Sequence, residues 1–434
     1  MVVFYGIFSY DLLREEFAKL IALAFALFVL FFKLLQFEKW NFNFLLIAGI
    51  LFRLVFLIAE PNLSQDFYRF IWDGELVNHG INPYLYSPDE FIETSTIQIP
   101  NSKILHEGMG ELSAQHFSNY PPINQLFFAL STFLGMGSLL GSIVWMRLFI
   151  VLADFGILYF GRKLLQNLNL SPHLVFWYFL NPLVIIELTG NLHFEGVMFF
   201  FFLWAIYLIS CQRYLLAAPV YAAAIMVKLV PLLFLPLFIR YLGLKKSALF
   251  YILVGIGCAF YLIPFYDPEL ATNYSKTIGL WFSNFEFNAG IYNLVKYIAV
   301  DFFDAKPWEL IKTYGIFVKM ATFALILLLA FLQKHKNLIQ FFTLMLVVLS
   351  AYYFLSATVH PWYLVFLLGL SLFTQYRFTI VWSALIVLSY YAYSKPDFKE
   401  NLWLLSLEYL LVLGYLMYEI IKNHNILILI RKKS

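Results

Sequence analysis

Long apolar runs follow one another along almost the whole chain, and they have the length of membrane helices. A crossing helix needs roughly 20 apolar residues, fewer where it is broken or re-entrant. By that measure the pattern predicts spans near 17–36, 42–59, 143–160, 173–190, 194–211, 214–229, 230–241, 247–265, 308–331, 337–356, 361–376, 378–394 and 401–421. The chain is therefore expected to be an all-α polytopic membrane protein with about 13 transmembrane helices, forming a single transmembrane domain over 1–434. Two runs resist simple counting. YPPINQLFFALSTFLGMGSLLGS (120–142) reads as an interfacial or re-entrant helix, because a further crossing would put Arg162 and Lys163 on the outer side. LLAAPVYAAAIMVKLVPLLFLPLFIR (215–240) is broken by Pro219, Pro231 and Pro236. Two half-length helices meeting inside the membrane fit it best, and such breaks tend to line a site.

Composition agrees with the pattern. The 434 residues are 62% hydrophobic and only 13% charged, with 49 Phe and 29 Tyr; soluble domains carry about 25% charge. The net charge of +3 says little, whereas its distribution orients the helices. Arg162, Lys163, Arg213, Arg240, Lys245, Lys246, Lys334, His335, Lys336, Arg377, Lys422 and Arg431-Lys432-Lys433 all fall on one side, cytoplasmic by the positive-inside rule. The other side receives a large first outer loop (60–142) with interfacial helices, a second large outer loop (266–307), and the short segments 190–195, 357–361 and 395–400. The N-terminus then lies outside. The first helix carries the weakest signal, with Arg14 and Lys19 at one end and Lys33 and Lys39 at the other. Its opening, MVVFYGIFSYDLLREE, does not have the form of a cleaved signal peptide. Cys211 and Cys258 lie in or beside apolar runs and suggest neither a disulfide nor a metal site. There is no P-loop, dinucleotide fingerprint or basic nucleic-acid patch, so nucleic acid is not an expected partner.

The least membrane-like stretch is EPNLSQDFYRFIWDGELVNHGINPYLYSPDEF, from Glu60. Asn62 and Ser64 are candidate N-caps, a helix follows over roughly 65–79, Gly80 suits its C′ position and Pro83 stops it. On that helix Asp66, Arg69, Phe70, Asp73 and Val77 share one face, and Tyr68, Trp72 and Glu75 another. An aromatic-rich amphipathic helix beside a span is expected in the interface plane. Two readings of Asp66 stand at this point: an acid that complements the helix dipole, or a catalytic carboxylate at the membrane boundary.

These residues resemble the first-outer-loop signature of the bacterial C-type (GT-C fold) glycosyltransferases, the polyprenyl-phosphate-dependent mannosyltransferases. The matching elements are Ser64, Asp66, Tyr68-Arg69, Trp72-Asp73-Gly74 and Gly80-Ile81-Asn82-Pro83-Tyr84. Gln65 stands where the family often has a first acid, which leaves Asp66 alone and weakens any metal-binding acid pair. The likeness continues in order through Tyr120-Pro121-Pro122, Gly190-Asn191-Leu192-His193-Phe194-Glu195-Gly196, Lys228-Leu229-Val230-Pro231, Phe287-Asn288-Ala289-Gly290 and His360-Pro361-Trp362-Tyr363. It covers about residues 42–376.

The resemblance implies an inverting glycosyltransferase on the outer, periplasmic side of a bacterial plasma membrane. It would move a sugar, by resemblance mannose, from a polyprenyl-phosphate donor to a hydroxyl on a glycan or glycolipid. A phosphate leaving group needs cations rather than a general acid, and the acceptor hydroxyl needs one base. By resemblance Asp66 is that base. Arg69, Lys228 and His360 are candidates for the donor phosphate, and His193 and Glu195 for a second outer-loop site. Trp72, Asp73, Tyr120, Asn288, Trp362 and Tyr363 are candidates for sugar and acceptor contacts. A divalent metal is not expected. The remaining intramembrane charges, Arg53, Arg147, Asp154, Glu187 and Lys319, read as structural pairs, with Arg147 and Asp154 on one helix face. A transporter or flippase of a lipid-linked sugar is the alternative, since broken helices and intramembrane charge would suit it as well.

Overall fold

The computed structural model describes residues 1–283, 285–332, 337–395 and 397–431. Lys334, His335, Lys336, Lys432 and Lys433, expected on the cytoplasmic side, lie outside the described residues. The fold is helical throughout, and the described residues form no strand beyond one isolated parallel bridge between Phe287 and Thr358.

The first half runs α1 (Val2–Tyr10), α2 (Phe17–Glu38), α3 (Phe42–Leu54), then the loop helices α4 (Asp66–Asn78), α5 (Pro88–Thr94), α6 (Ser102–Met109), α7 (Glu111–Ala114) and α8 (Pro122–Gly135), and the long α9 (Leu139–Asn167). Next come α10 (Pro172–Phe179), α11 (Pro182–Gly190), α12 (Glu195–Ser210), α13 (Tyr214–Val227), α14 (Val230–Leu242) and α15 (Leu244–Phe265). The chain ends with α16 (Leu270–Ser283), α17 (Gly290–Phe303), α18 (Pro307–Leu332), α19 (Leu338–Leu355), α20 (Pro361–Ser371), α21 (Phe378–Ser394) and α22 (Leu402–Arg431).

Six of these helices (α2, α9, α15, α18, α19 and α22) are long and apolar enough to cross a membrane. A seventh candidate is the α10–α11 pair, bent by 53°, and α3, α12, α13, α14, α20 and α21 are shorter apolar helices. Together these are the segments that the hydropathy pattern predicts. The chain is an all-helical polytopic membrane protein. One apolar core reaches from Tyr5 to Val412, and a smaller cluster of Ala289, Tyr292, Ile311, Tyr314 and Val318 sits beside it. The 215–240 run does break: α13 ends at Val227, and α14 starts at Val230.

Intramembrane charges are paired differently from expectation. Asp154 does not meet Arg147 on its own helix; it accepts from Arg53 Nε of α3 at 2.8 Å, with both side chains nearly inaccessible. Arg147 instead donates to the carbonyls of Thr189 (2.6 Å), Gly190 (3.2 Å) and Leu57 (2.8 Å). The last carbonyls of a helix lack intrahelical partners, so a buried guanidinium there fixes where the chain leaves α11. Lys319 is exposed.

The 60–142 loop folds over α4. Nine of the thirteen α4 residues are buried, against α8 and α6, so α4 is enclosed by its own loop rather than laid open on one apolar face. Gly80 takes φ 74°, as the helix end requires. Neither expected N-cap caps α4: Gln65 holds that position. Asn62 Nδ2 reaches back to the carbonyls of Phe8 (2.7 Å) and Leu12 (3.0 Å) instead, and the Asp66 N–H donates to Ser64 Oγ at 3.3 Å.

Candidate active site

Asp66 opens α4 and is half-buried. The segment before it is held from two sides. Asn62 ties it to the end of α1, and the Leu63 N–H donates to Asn191 Oδ1 in the loop between α11 and α12 at 3.3 Å. Burial pushes the Asp66 carboxyl above the usual carboxylate range; Lys228 and Arg14 pull it back and Glu195 raises it further. Two cations and one further carboxylate therefore act on the same group.

Lys228 comes from the break. It is the first residue past α13 and has extended backbone (φ −147°, ψ 139°), so its side chain leaves the helical stack. Asn124 Nδ2 of α8 donates to the Val227 carbonyl at 2.9 Å, which satisfies a helix-end acceptor beside the break. Lys228 Nζ pairs with Glu195 Oε1 at 3.0 Å and lies 5.5 Å from the Tyr120 ring centroid. A charge at this depth is expensive unless paired, and Glu195 is its partner. The second Glu195 oxygen is buried without a hydrogen-bond partner.

His193 and His360 come from different loops and meet across Trp362. The His193 and Trp362 rings stack at 3.8 Å and 18°, Trp362 and His360 at 4.4 Å and 3°, and His360 and Phe287 at 4.8 Å and 23°. The bridge between the loops aligns the last step: the Phe287 N–H donates to the Ala357 carbonyl (3.0 Å) and the Val359 N–H to the Phe287 carbonyl (2.8 Å). Burial, helped by the Lys228 charge, holds both imidazoles in the neutral form: His193 well below its usual value, and His360 down to about 3. His193 Nε2 and His360 Nδ1 are buried with no hydrogen-bond partner. Each is a neutral, directional polar atom, and the Glu187 carboxylate, 3.9 Å from His193 Nε2, stands beyond hydrogen-bond reach.

The structure brings Asp66, Lys228, Glu195, His193, His360, Tyr120 and Trp362 into one neighbourhood, and Tyr363 adjoins it, edge-on to His360 at 5.3 Å. It does not do so for Trp72 and Asn288, and it holds Arg69 and Asp73 to each other behind Tyr120, on which the charges of both act along with those of Asp66 and Glu195. Arg69 Nε bonds Asp73 Oδ1 at 2.7 Å, and Nη1 bonds the carbonyls of Ser113 (2.7 Å) and His116 (2.8 Å). Asp73 also accepts from Ser118 Oγ (2.5 Å) and Gln125 Nε2 (3.1 Å). Trp72 is fully buried, edge-on to Phe91. These side chains are turned into the interior of the first loop. Asn288 is likewise buried, with Nδ2 on Glu408 Oε1 (3.0 Å), its N–H on Glu400 and its carbonyl accepting from Tyr409 Oη (2.7 Å). Among the described residues no group of three or more His, Cys, Asp or Glu side chains converges to hold a metal ion.

Arg14 is the residue that sequence reasoning missed at this place. It lies between α1 and α2, where it reads as an orienting charge of the first span. The signal was its place: a basic residue at the span end that the charge pattern assigns to the outer side runs against the positive-inside rule.

No curated protein matches the chain. Residues 14–243 match the family model described as Alpha-(1->6)-mannopyranosyltransferase, N-terminal domain. That match spans just over half of the chain and includes α4, the Glu195 loop and the Lys228 break. The chain belongs to the alpha-(1->6)-mannopyranosyltransferase family and is a glycosyltransferase.

Proposed function

We propose that the protein transfers mannose from a polyprenyl-phosphate donor to an acceptor hydroxyl, with inversion, and that Asp66 is the general base. The observation that carries this reading is the setting of Asp66: a half-buried carboxylate, raised in basicity by burial, within the field of Lys228 and Arg14. The acceptor O–H gives its proton to Asp66 while its oxygen attacks the anomeric carbon. The bond from that carbon to the donor phosphate breaks, and the phosphate leaves with the electron pair. It needs no proton, only positive charge near its oxygens, which Lys228 supplies. Attack opposite the leaving group inverts the centre, so a β-linked donor gives an α-linked product, as in single-displacement glycosidases.

Glu195 then has a holding role, keeping Lys228 at 3.0 Å from its carboxylate until a phosphate competes for it. The free ring nitrogens of His193 and His360 suit sugar hydroxyls, being neutral and without protein partners. Tyr120, Trp362 and Tyr363 remain the candidates for sugar stacking. Arg69 and Asp73 act on the reaction only through the shape of the loop. Leu232, exposed one turn beyond Lys228, offers apolar surface where a polyprenyl chain would run beside the break. The distribution of basic residues favours the outer face of a bacterial plasma membrane for all these loops. Glycans and glycolipids with a free primary hydroxyl fit the family's 1→6 linkage as acceptors.

The direct test uses the purified full chain in lipid nanodiscs with mannose on a polyprenyl phosphate or on a nucleotide. Transfer is expected from the lipid donor alone. Transfer from the nucleotide donor with none from the lipid would sink the proposal.

A further inference from the structure

We propose that Arg14, carried on the linker between α1 and α2, is a second phosphate-binding cation of this site, placed opposite Lys228. The assignment rests on the lipid-phosphate reading above and adds a residue to it.

The geometry begins with the linker. Asn62 grips the Phe8 and Leu12 carbonyls, so the linker lies against the strand of chain that leads into Asp66. Tyr5 of α1 packs on Phe52 and Phe56 of the α3 end, at 5.2 and 5.8 Å between ring centroids, which anchors the linker from the other side. Arg14 then lies over Tyr393, its guanidinium carbon 3.3 Å from the ring centroid. Tyr393 contacts Phe287 at 5.6 Å, and Phe287 stacks on His360. Arg14 thus reaches the site from the face formed by α21, while Lys228 reaches it from the break after α13. Its charge acts on Asp66 and on His360, as the Lys228 charge does.

Charge balance argues the same way. Lys228 has its own carboxylate, Glu195, at 3.0 Å. Among the described residues no carboxylate lies within salt-bridge distance of Arg14. Its Nε is buried with no hydrogen-bond partner, so a directional donor is left open. Two cations here face Asp66, Glu195 and, beside His193, Glu187, on which the Arg14 charge also acts, and both histidines are neutral. Without Arg14 the crevice would carry net negative charge before an anionic donor arrived. A departing phosphate, which gains charge as the bond breaks, would then meet a repulsive site. A guanidinium suits it better than an ammonium, since it presents a planar fork to two phosphate oxygens.

The experiment measures binding to the purified full chain of a polyprenyl monophosphate and of the corresponding polyprenol, for the wild type, Arg14→Gln and Arg14→Lys. Wild type is expected to prefer the phosphate lipid. Arg14→Gln is expected to lose that preference by about tenfold or more with polyprenol binding unchanged, and Arg14→Lys to keep most of it. In turnover, Arg14→Gln should raise the donor KM more than it lowers kcat, a split that a merely structural role would not produce. If wild type discriminates and Arg14→Gln discriminates equally, the Arg14 assignment falls and the donor reading stands. If wild type itself does not discriminate, both fall. Equal competition by inorganic phosphate would overturn the lipid assignment in favour of a free-anion site. Should Arg14→Gln fail to fold, the Arg14→Lys preference decides: unaltered or mildly reduced supports the cation role, abolished overturns it.

Discussion

Asp66 sits between opposing charges, and this fixes how activity should respond to pH. As the proposed general base it works only when ionised, so the rate is expected to fall as pH drops through its pKa. Burial raises that pKa, which places the acid limb above the ordinary aspartate value of about 3.9. Lys228 lowers it and Glu195 raises it. Lys228→Met is therefore expected to move the acid limb to higher pH, and Glu195→Gln to lower pH, in pH–rate profiles of donor turnover. Movement in the same direction for both variants would contradict the charge arrangement around Asp66. At this scale much was legible in the sequence. Lys228 stood out because a charge is costly inside an apolar run, and Asp66, Glu195, His193 and His360 through the resemblance of their motifs to the family's. Arg14 was not, because it precedes the first span and its neighbour Tyr393 is 379 positions away in the chain.

Helix α4 shows where periodicity stops being informative. A 3.6-residue repeat gives its length, its end at Gly80 and the Arg69–Asp73 face. It cannot say that the face turns inward, because the partners Ser113, His116, Ser118 and Gln125 lie more than 40 residues away. The same holds for Arg53 and Asp154, 101 residues apart. Arg69→Met leaves Asp73 buried with its countercharge gone, a loss on the order of 3–5 kcal/mol for such pairs. Thermal unfolding should show that loss, while donor affinity per folded molecule stays near wild type, unlike Lys228→Met. Close packing of α4 on α8 gives a second expectation. A Cβ at Gly74 would lie 2.5 Å from the Phe128 carbonyl oxygen and 2.9 Å from Thr132 Oγ1. Gly74→Val should cost about 1–3 kcal/mol by overpacking and lower activity by displacing the Asp66 end of the helix. An unchanged melting temperature would show that α4 and α8 are not tightly docked.

Across the whole molecule, three segments distant in sequence, the start of α4, the loop between α11 and α12 and the loop before α20, are drawn together with the α1–α2 linker and the break after α13. Hydropathy alone located the helices between them, since apolar length is a local property. It could not locate the convergence, which depends on long-range hydrogen bonds and on ring stacking between loops. All three segments should face one side of the membrane. In a chain with Cys211→Ser and Cys258→Ser, a single Glu93→Cys should react with an impermeant maleimide on intact cells. A single Lys246→Cys should react only after permeabilisation. The reverse pattern would place the site on the cytoplasmic side and remove the lipid donor's rationale. The central claim is tested most directly by Asp66→Asn, assayed for mannose transfer from the polyprenyl-phosphate donor alongside donor binding. The account predicts transfer reduced on the order of 10²–10⁴-fold, the usual contribution of a general base, with donor binding and melting temperature close to wild type. Transfer at the wild-type rate would contradict it.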